Sequence, residues 1–291
     1  MRSTKLEQLW SGSDKGVLTS GDGRSFTLPP LDGLPKQAGY EKIERNNLSA
    51  PFPMIVGEFS KQQTTKSHDL EREYELRFTH GAQYRSAVWK ILIREFFSAW
   101  IPENSIILDL GCGWGEFINQ VPARRKYGMD MNPASAGKLD QDVTFFSQDC
   151  SATWPMEDGH LDVVFTSNFF EHLPSKESLR ETLREAFRCL KPNGRLICLG
   201  PNIKYLAGRY WDFWDHYLPL TELSLKEGLE LTGFELDFVA DKFLPYSMSQ
   251  GFTPPLLFLK AYLKLPFIWK AVGKQFCLIA RKSSSSNIEP G

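Results

Sequence analysis

The clearest pattern in the chain is a set of short apolar runs that end in a polar or glycine-rich break. Ile106-Ile107-Leu108-Asp109-Leu110 stops at Gly111-Cys112-Gly113-Trp114-Gly115, with glycines at alternate positions. Lys126-Tyr127-Gly128-Met129-Asp130, Val143-Thr144-Phe145-Phe146, Leu161–Asn168 and Arg195–Gly200 repeat the form. The first, apolar without alternation, reads as a parallel strand buried on both faces, and the others read as the second to fifth strands. Between them the period changes. Val88, Leu92, Phe96 and Trp100 recur four apart within a helical stretch over 70–100, and Leu179, Leu183, Phe187 and Leu190 do so after Ser175, a helix cap. Phe117, Ile118 and Val121 predict a helix directly after the glycines. Ser224 and Glu227 predict a capping box for a helix that Gly233 stops, before a strand over Phe234–Ala240. Gln275–Arg281 reads as the last strand, in an antiparallel hairpin.

The glycine turn carries the chemistry. Glycine is needed where φ is positive or where a ligand meets the main chain without a Cβ between them. A P-loop would end in Gly-Lys-Ser or Gly-Lys-Thr, and no lysine stands here. A dinucleotide fingerprint would be Gly-x-Gly-x-x-Gly, whereas the third glycine comes one residue early. Asp130 follows Asp109 by 21 positions, the strand–helix–strand spacing at which an acid meets a ribose. A carboxylate there accepts from the 2′- and 3′-hydroxyls together.

Asp109-Leu110-Gly111-Cys112-Gly113-x-Gly115, with Asp130 after it, resembles the first motifs of class I S-adenosylmethionine (SAM)-dependent methyltransferases, in particular the type 11/23-like domains. The resemblance covers about residues 75–282 and implies an α/β, Rossmann-like fold. Its seven-stranded, mostly parallel sheet would have the order 3-2-1-4-5-7-6 and helices on both faces. It also implies SAM as cofactor, held by Asp109, Gly111, Cys112, Gly113, Gly115, Asp130 and Met131. Asp149 and Cys150 would sit beside the adenine, and Asn168 near the transferred methyl. Arg85, with Tyr84, would reach the methionine carboxylate by a charge-assisted pair; an exposed helix arginine is the other reading.

Asn168-Phe169-Phe170-Glu171 departs from the Asn/Asp-Pro-Pro-Tyr of enzymes that methylate exocyclic base amines, which turns the expectation away from nucleobases. His172 and His216 are the candidate catalytic bases, each with a structural alternative. Tyr205, Tyr210, Trp211, Phe213, Trp214 and Tyr217, interleaved with Asp212 and Asp215, suit the stacking of an acceptor ring or the packing of a lid. The acceptor is therefore expected to be a small molecule or a glycan- or lipid-linked group, methylated at oxygen. The alternative is a non-catalytic SAM-binding scaffold, which would have no need of a ribose acid.

Bulk properties narrow this further. A chain of 291 residues can bury a full core, and a net charge of −1 gives no basic field to attract nucleic acid. Its five cysteines are scattered, and no Cys/His spacing suggests a metal, so none is expected. No secretory signal follows Met1-Arg2, which points to the cytoplasm. The expected organisation is an extended arm over 1–70, the domain over 71–282 with a lid at about 242–273, and a polar tail over 283–291. Lysines and Pro266 interrupt the apolar stretch Pro254–Val272, so it does not span a bilayer; it serves as a lid or as a peripheral contact with the inner face of a membrane.

Overall fold

The doubly apolar runs become the middle of one sheet, because only a strand covered on both faces can be apolar at every position. In the computed structural model, seven strands form it: β3 (Ile106–Leu110), β4 (Arg125–Asp130), β5 (Val143–Ser147), β6 (Leu161–Ser167), β7 (Leu190–Pro201), β8 (Phe234–Ala240) and β9 (Gln275–Lys282). The structure describes residue 72, residues 81–246 and 254–284, and the backbone of two short antiparallel strands, β1 (Val17–Thr19) and β2 (Ser25–Thr27). β1 and β2 belong to a separate unit, Met1–Met54. Most of the expected arm, the tail beyond 284 and residues 247–253 of the expected lid lie outside the described residues.

The sheet order is β5-β4-β3-β6-β7-β9-β8. Counted from β3 as the first, this is 3-2-1-4-5-7-6. All pairs are parallel except the two that involve β9. Alternate side chains divide the core into two layers. Ile107, Val163, Phe165, Ile197 and Ile279 pack with Val88 and Leu92 of α1 (Ala82–Glu95). On the other face Leu108, Leu110, Val164, Leu196 and Leu278 pack with Leu179 and Leu183 of α2 (Lys176–Cys189). A short α3 (Ile203–Leu206) and α4 (Glu222–Thr232) follow β7, and Leu225 and Leu229 of α4 join that second layer.

Three local readings are corrected. No helix follows the glycine turn: only six residues separate Gly115 from Pro122, and residues 116–120 form turns. Proline cannot continue a helix. The apolar residues predicted there are nonetheless buried, with the Phe117 ring stacked on Phe165 at 3.6 Å. The connection from β4 to β5 holds only a 3-10 turn, Pro133–Lys138, so helices are fewer on that side than a full β/α alternation predicts. The cap of α4 is Thr221, whose side chain accepts from Ser224 N–H while the Ser224 side chain accepts from Thr221 N–H. Ser224 is thus the third helical residue and not the cap.

The segment beyond β8 forms α5 (Leu256–Leu263) and α6 (Pro266–Val272), divided at Pro266. Leu263 and Trp269 are buried against the α1 layer. The Tyr84 hydroxyl donates to Pro254 O at 2.8 Å, so this residue, read from sequence as a cofactor contact, ties α1 to the start of α5.

Candidate active site

The strand order reverses between β3 and β6, and ligands of open α/β sheets bind beyond the carboxyl ends of the strands at such a switch point. Asp109, Asp130 and Asn168 lie at or just past the ends of β3, β4 and β6, so the topology brings most of the sequence candidates to one rim.

Gly111, Gly113 and Gly115 all have positive φ (70°, 51° and 73°). A Cβ on Gly111 would stand 2.3 Å from the ring of Phe169, and one on Gly115 would stand 2.6 Å from Leu139. Glycine at both places is therefore a requirement of backbone and space together. The loop is pinned to β4: Gly111 N–H and Cys112 N–H both donate to Met129 O, and Gly113 N–H donates to Asp130 Oδ2 at 2.9 Å. Asn132 N–H donates to the other Asp130 oxygen at 2.8 Å. Asp130 thus holds the glycine loop and its own strand end at once.

Asp109 and Asp130 are both buried. Burial, and then the Asp130 charge, push the Asp109 carboxyl well above the usual range, against a hydrogen bond from Ile118 N–H. Two buried carboxyls beside a glycine turn, at the carboxyl ends of β3 and β4, are chemically compatible with the hydroxyls and the positive charge that SAM carries. Met131, next to Asp130, is 58% exposed and offers an apolar wall.

Arg85 is ion-paired through Nε with Glu116 at 2.7 Å. Sequence reading missed Glu116, which ties α1 to the residue after Gly115. Burial raises the Glu116 carboxyl, opposed by the Arg85 charge and hydrogen bond. Asp149 is exposed and accepts at Oδ1 from Ser151 N–H and Oγ. Cys150 is buried with Sγ 3.3 Å from Thr182 Oγ1. Its thiol is pushed up to about 12, mainly by burial. The same cause raises the Cys112 thiol, so neither is a nucleophile. Asn168 takes φ 49° and donates its N–H to Leu199 O.

The two candidate bases converge. His172, just past β6, places Nδ1 2.9 Å from Asp215 Oδ2 and 3.0 Å from Asp215 O. The His216 ring lies 5.0 Å from that of His172 and stacks on Phe213 at 4.8 Å. Glu171 O accepts from Tyr217 N–H and Leu218 N–H, which fastens the aromatic segment to the end of β6. Burial lowers the His172 pKa, but the Asp215 hydrogen bond and the charges of Glu171 and Asp215 outweigh it, and the net direction is up. Glu171, His172 and His216 each offer a ligating atom within 4.8 Å of the others. Sequence spacing gave no hint of this trio, because its members come from two distant segments. Of the aromatic run, Tyr210 is buried, with its hydroxyl on Leu218 O at 2.6 Å, while Trp211 (55%) and Trp214 (88%) are exposed. Some of these rings therefore pack the segment, and others face outward.

Loss of Asp130 has a defined expectation. Asp130→Ala removes the acceptor for two backbone N–H groups and leaves them buried, at about 1–3 kcal/mol. That cost falls on stability; if Asp130 also accepts from the ribose hydroxyls, losing that acceptor costs a further ~1–3 kcal/mol of binding, and SAM affinity by calorimetry should fall about tenfold or more, since 1.4 kcal/mol is a factor of ten. Unchanged affinity would separate Asp130 from the cofactor site.

Known proteins bear on the same region. Residues 81–237 match the family described as a methyltransferase domain. A mouse tRNA (carboxymethyluridine(34)-5-O)-methyltransferase, ALKBH8, is 24% identical over 189 residues, 64% of this chain and 28% of its own length. An uncharacterized methyltransferase-like protein of Schizosaccharomyces pombe, C25B8.10, is 30% identical over 129 residues, 42% of this chain and 44% of its own length. The chain thus spans less than half of either relative. Among solved structures, a SAM-dependent methyltransferase of Thermotoga maritima, described as a possible histamine N-methyltransferase, shares the fold with a TM-score of 0.51. It is 16% identical, with 72% of this chain and 99% of that one covered.

Proposed function

Since the chain belongs to the methyltransferase-domain family, we propose that it takes SAM as its cofactor and transfers the methyl group to an oxygen of a small-molecule, glycan- or lipid-linked acceptor, with His172 as the base. The observation that carries this reading is the Asp215–His172 pair just past the carboxyl end of β6, with Nδ1 of the imidazole 2.9 Å from Asp215 Oδ2. Bound SAM supplies a methyl on a sulfonium that is already a good leaving group. What remains for the protein is to align the acceptor, exclude water and take the acceptor's proton.

In this reading the residues divide the work. Asp109, Asp130 and the glycine loop hold the cofactor, with Met131, Asp149 and Cys150 toward its adenine. Arg85, oriented by Glu116, takes the carboxylate end. Asn168 and Phe169 border the methyl. Asp215 fixes the tautomer and orientation of His172, and its charge steadies the imidazolium that forms. The rings around His216 exclude water from it.

A second reading comes from the mouse relative, whose name gives a tRNA uridine derivative as acceptor and oxygen as the methylated atom. It favours oxygen as the nucleophile and keeps RNA among the acceptor classes to be tested, against the expectation from net charge. A labelled-methyl screen over glycan, lipid, small-molecule and tRNA fractions, read by mass, decides between the acceptors. Label on nitrogen alone, or no turnover with any fraction, counts against the proposal. Chelation with EDTA is expected to leave turnover unchanged. A loss restored by a divalent cation would instead assign the Glu171–His172–His216 trio to a metal.

A further inference from the structure

The segment after Pro254 stands out by what it leaves uncovered. Along α5, positions 256, 259 and 263 face the domain, and Leu263 is buried. Positions 257, 258, 261, 264 and 265 face away, and they include Leu257 (73% exposed), Phe258 (65%) and Leu265 (36%). α6 repeats the division, with Trp269 buried and Phe267 69% exposed. A lid whose apolar face covered the protein's own pocket would bury these side chains. Instead, the inner face is satisfied: the Trp269 indole N–H donates to Tyr262 O, and Tyr262 is itself tied to Phe243 O. The outer face is a second, separate apolar surface.

Charge selects what covers it. Residues 254–274 contain Lys260, Lys264, Lys270 and Lys274 and no acidic residue. The neighbouring end of α1 adds Arg94 and Glu95, which pair with each other at 2.7 Å. A second copy of this chain would set four lysines against four lysines. Residues 1–80 carry eleven basic and eleven acidic residues, so they offer no net complement. An anionic bilayer surface supplies both requirements at once, acyl chains for the aromatic and leucine side chains and headgroups for the lysines. Among the described residues no helix is long and apolar enough to cross a membrane, so the contact would be with one leaflet. We propose that α5 and α6 dock the protein on an anionic lipid surface through Leu257, Phe258, Leu265 and Phe267, ringed by Lys260, Lys264 and Lys270. This does not depend on the acceptor proposed above.

The test is flotation of the full chain with vesicles of phosphatidylcholine, with and without about one third phosphatidylglycerol. Binding is expected only to the anionic vesicles, and raising the salt should weaken it, since exposed charges are screened beyond ~8 Å at physiological ionic strength. Changing Lys260, Lys264, Lys270 and Lys274 together to Gln should reduce the bound fraction at least tenfold, as each lysine near a charged surface contributes about 1 kcal/mol. Phe258→Ser with Phe267→Ser should abolish binding. SAM affinity measured on both variants shows that they have folded. No flotation at low salt, flotation unchanged in the lysine variant, or a concentration-dependent dimer dissolved by the serine changes would overturn the proposal.

Discussion

Replacing His172 with alanine should lower methyl transfer to a hydroxyl acceptor by about 10²–10⁴-fold, the usual worth of a positioned base, while SAM affinity stays as it was. The imidazole acts only when neutral. Its pKa lies above the ordinary ~6.5 of histidine, because the Asp215 hydrogen bond and the charges of Glu171 and Asp215 outweigh burial. The rate should therefore climb as pH rises through that elevated value. Asp215→Asn removes the carboxylate that raises it, so the ascending limb should move to lower pH, with a lower plateau because the ring is less firmly held. A structural histidine would not shift the limb. Wild-type turnover in His172→Ala, or a limb that stays in place in Asp215→Asn, would remove His172 from the reaction. His216→Phe keeps a ring against Phe213 and should affect turnover far less than His172→Ala.

The other large effect is expected at the glycine turn. Gly111→Ala places a methyl 2.3 Å from the Phe169 ring and forces an L side chain to φ 70°. The backbone term is about 1–2 kcal/mol and overpacking adds roughly 1–3 kcal/mol. A total of a few kcal/mol is a large share of the ~5–15 kcal/mol that holds a domain folded. Thermal unfolding should show a marked fall in Tm, and calorimetry a loss of SAM binding. Phe169→Ala in the same chain removes the ring atoms at 2.3 Å but keeps the Phe169 Cβ, 2.8 Å from the new methyl, and leaves the φ strain, so it should recover only part of the stability. Equal stability of Gly111→Ala and the parent would mean that the loop has room the structure denies it.

The fold was legible where one local rule decides. Ile106–Leu110 and Leu161–Ser167 carry apolar residues on both alternating faces and are buried or half-buried throughout; Gly233, with φ 102°, stops α4 where a glycine was expected to stop it. The helix expected from Phe117, Ile118 and Val121 failed because the same apolar spacing serves a turn anchored on Phe165, and Pro122 was the overlooked signal. In the site, Asp109, Asp130 and the glycines could be found because strand ends set them side by side. Glu116 could not, since its partner Arg85 lies on a helix whose orientation no local pattern fixes. The His172–Asp215 pair spans 43 positions and depends on two backbone hydrogen bonds from Tyr217 and Leu218 to Glu171 O. His172 and His216 were each visible as titratable residues, but their meeting is a property of the fold.

The five cysteines, all buried, give this protein a built-in clock for its own opening. A thiol reagent attacks the thiolate, and burial pushes these thiols up, that of Cys189 to about 11. In the closed state there is almost nothing for the reagent to meet. Each cysteine should then be modified only at the rate at which its surroundings separate, which differs from place to place in a folded chain. Cys198 and Cys277, on the paired strands β7 and β9, would report global unfolding, while Cys112, within the glycine loop, would report local release of that loop. SAM added to the reaction should slow Cys112 and leave the strand thiols on their own schedule, so that mass spectrometry of the labelled chain reads cofactor binding and global stability from one sample.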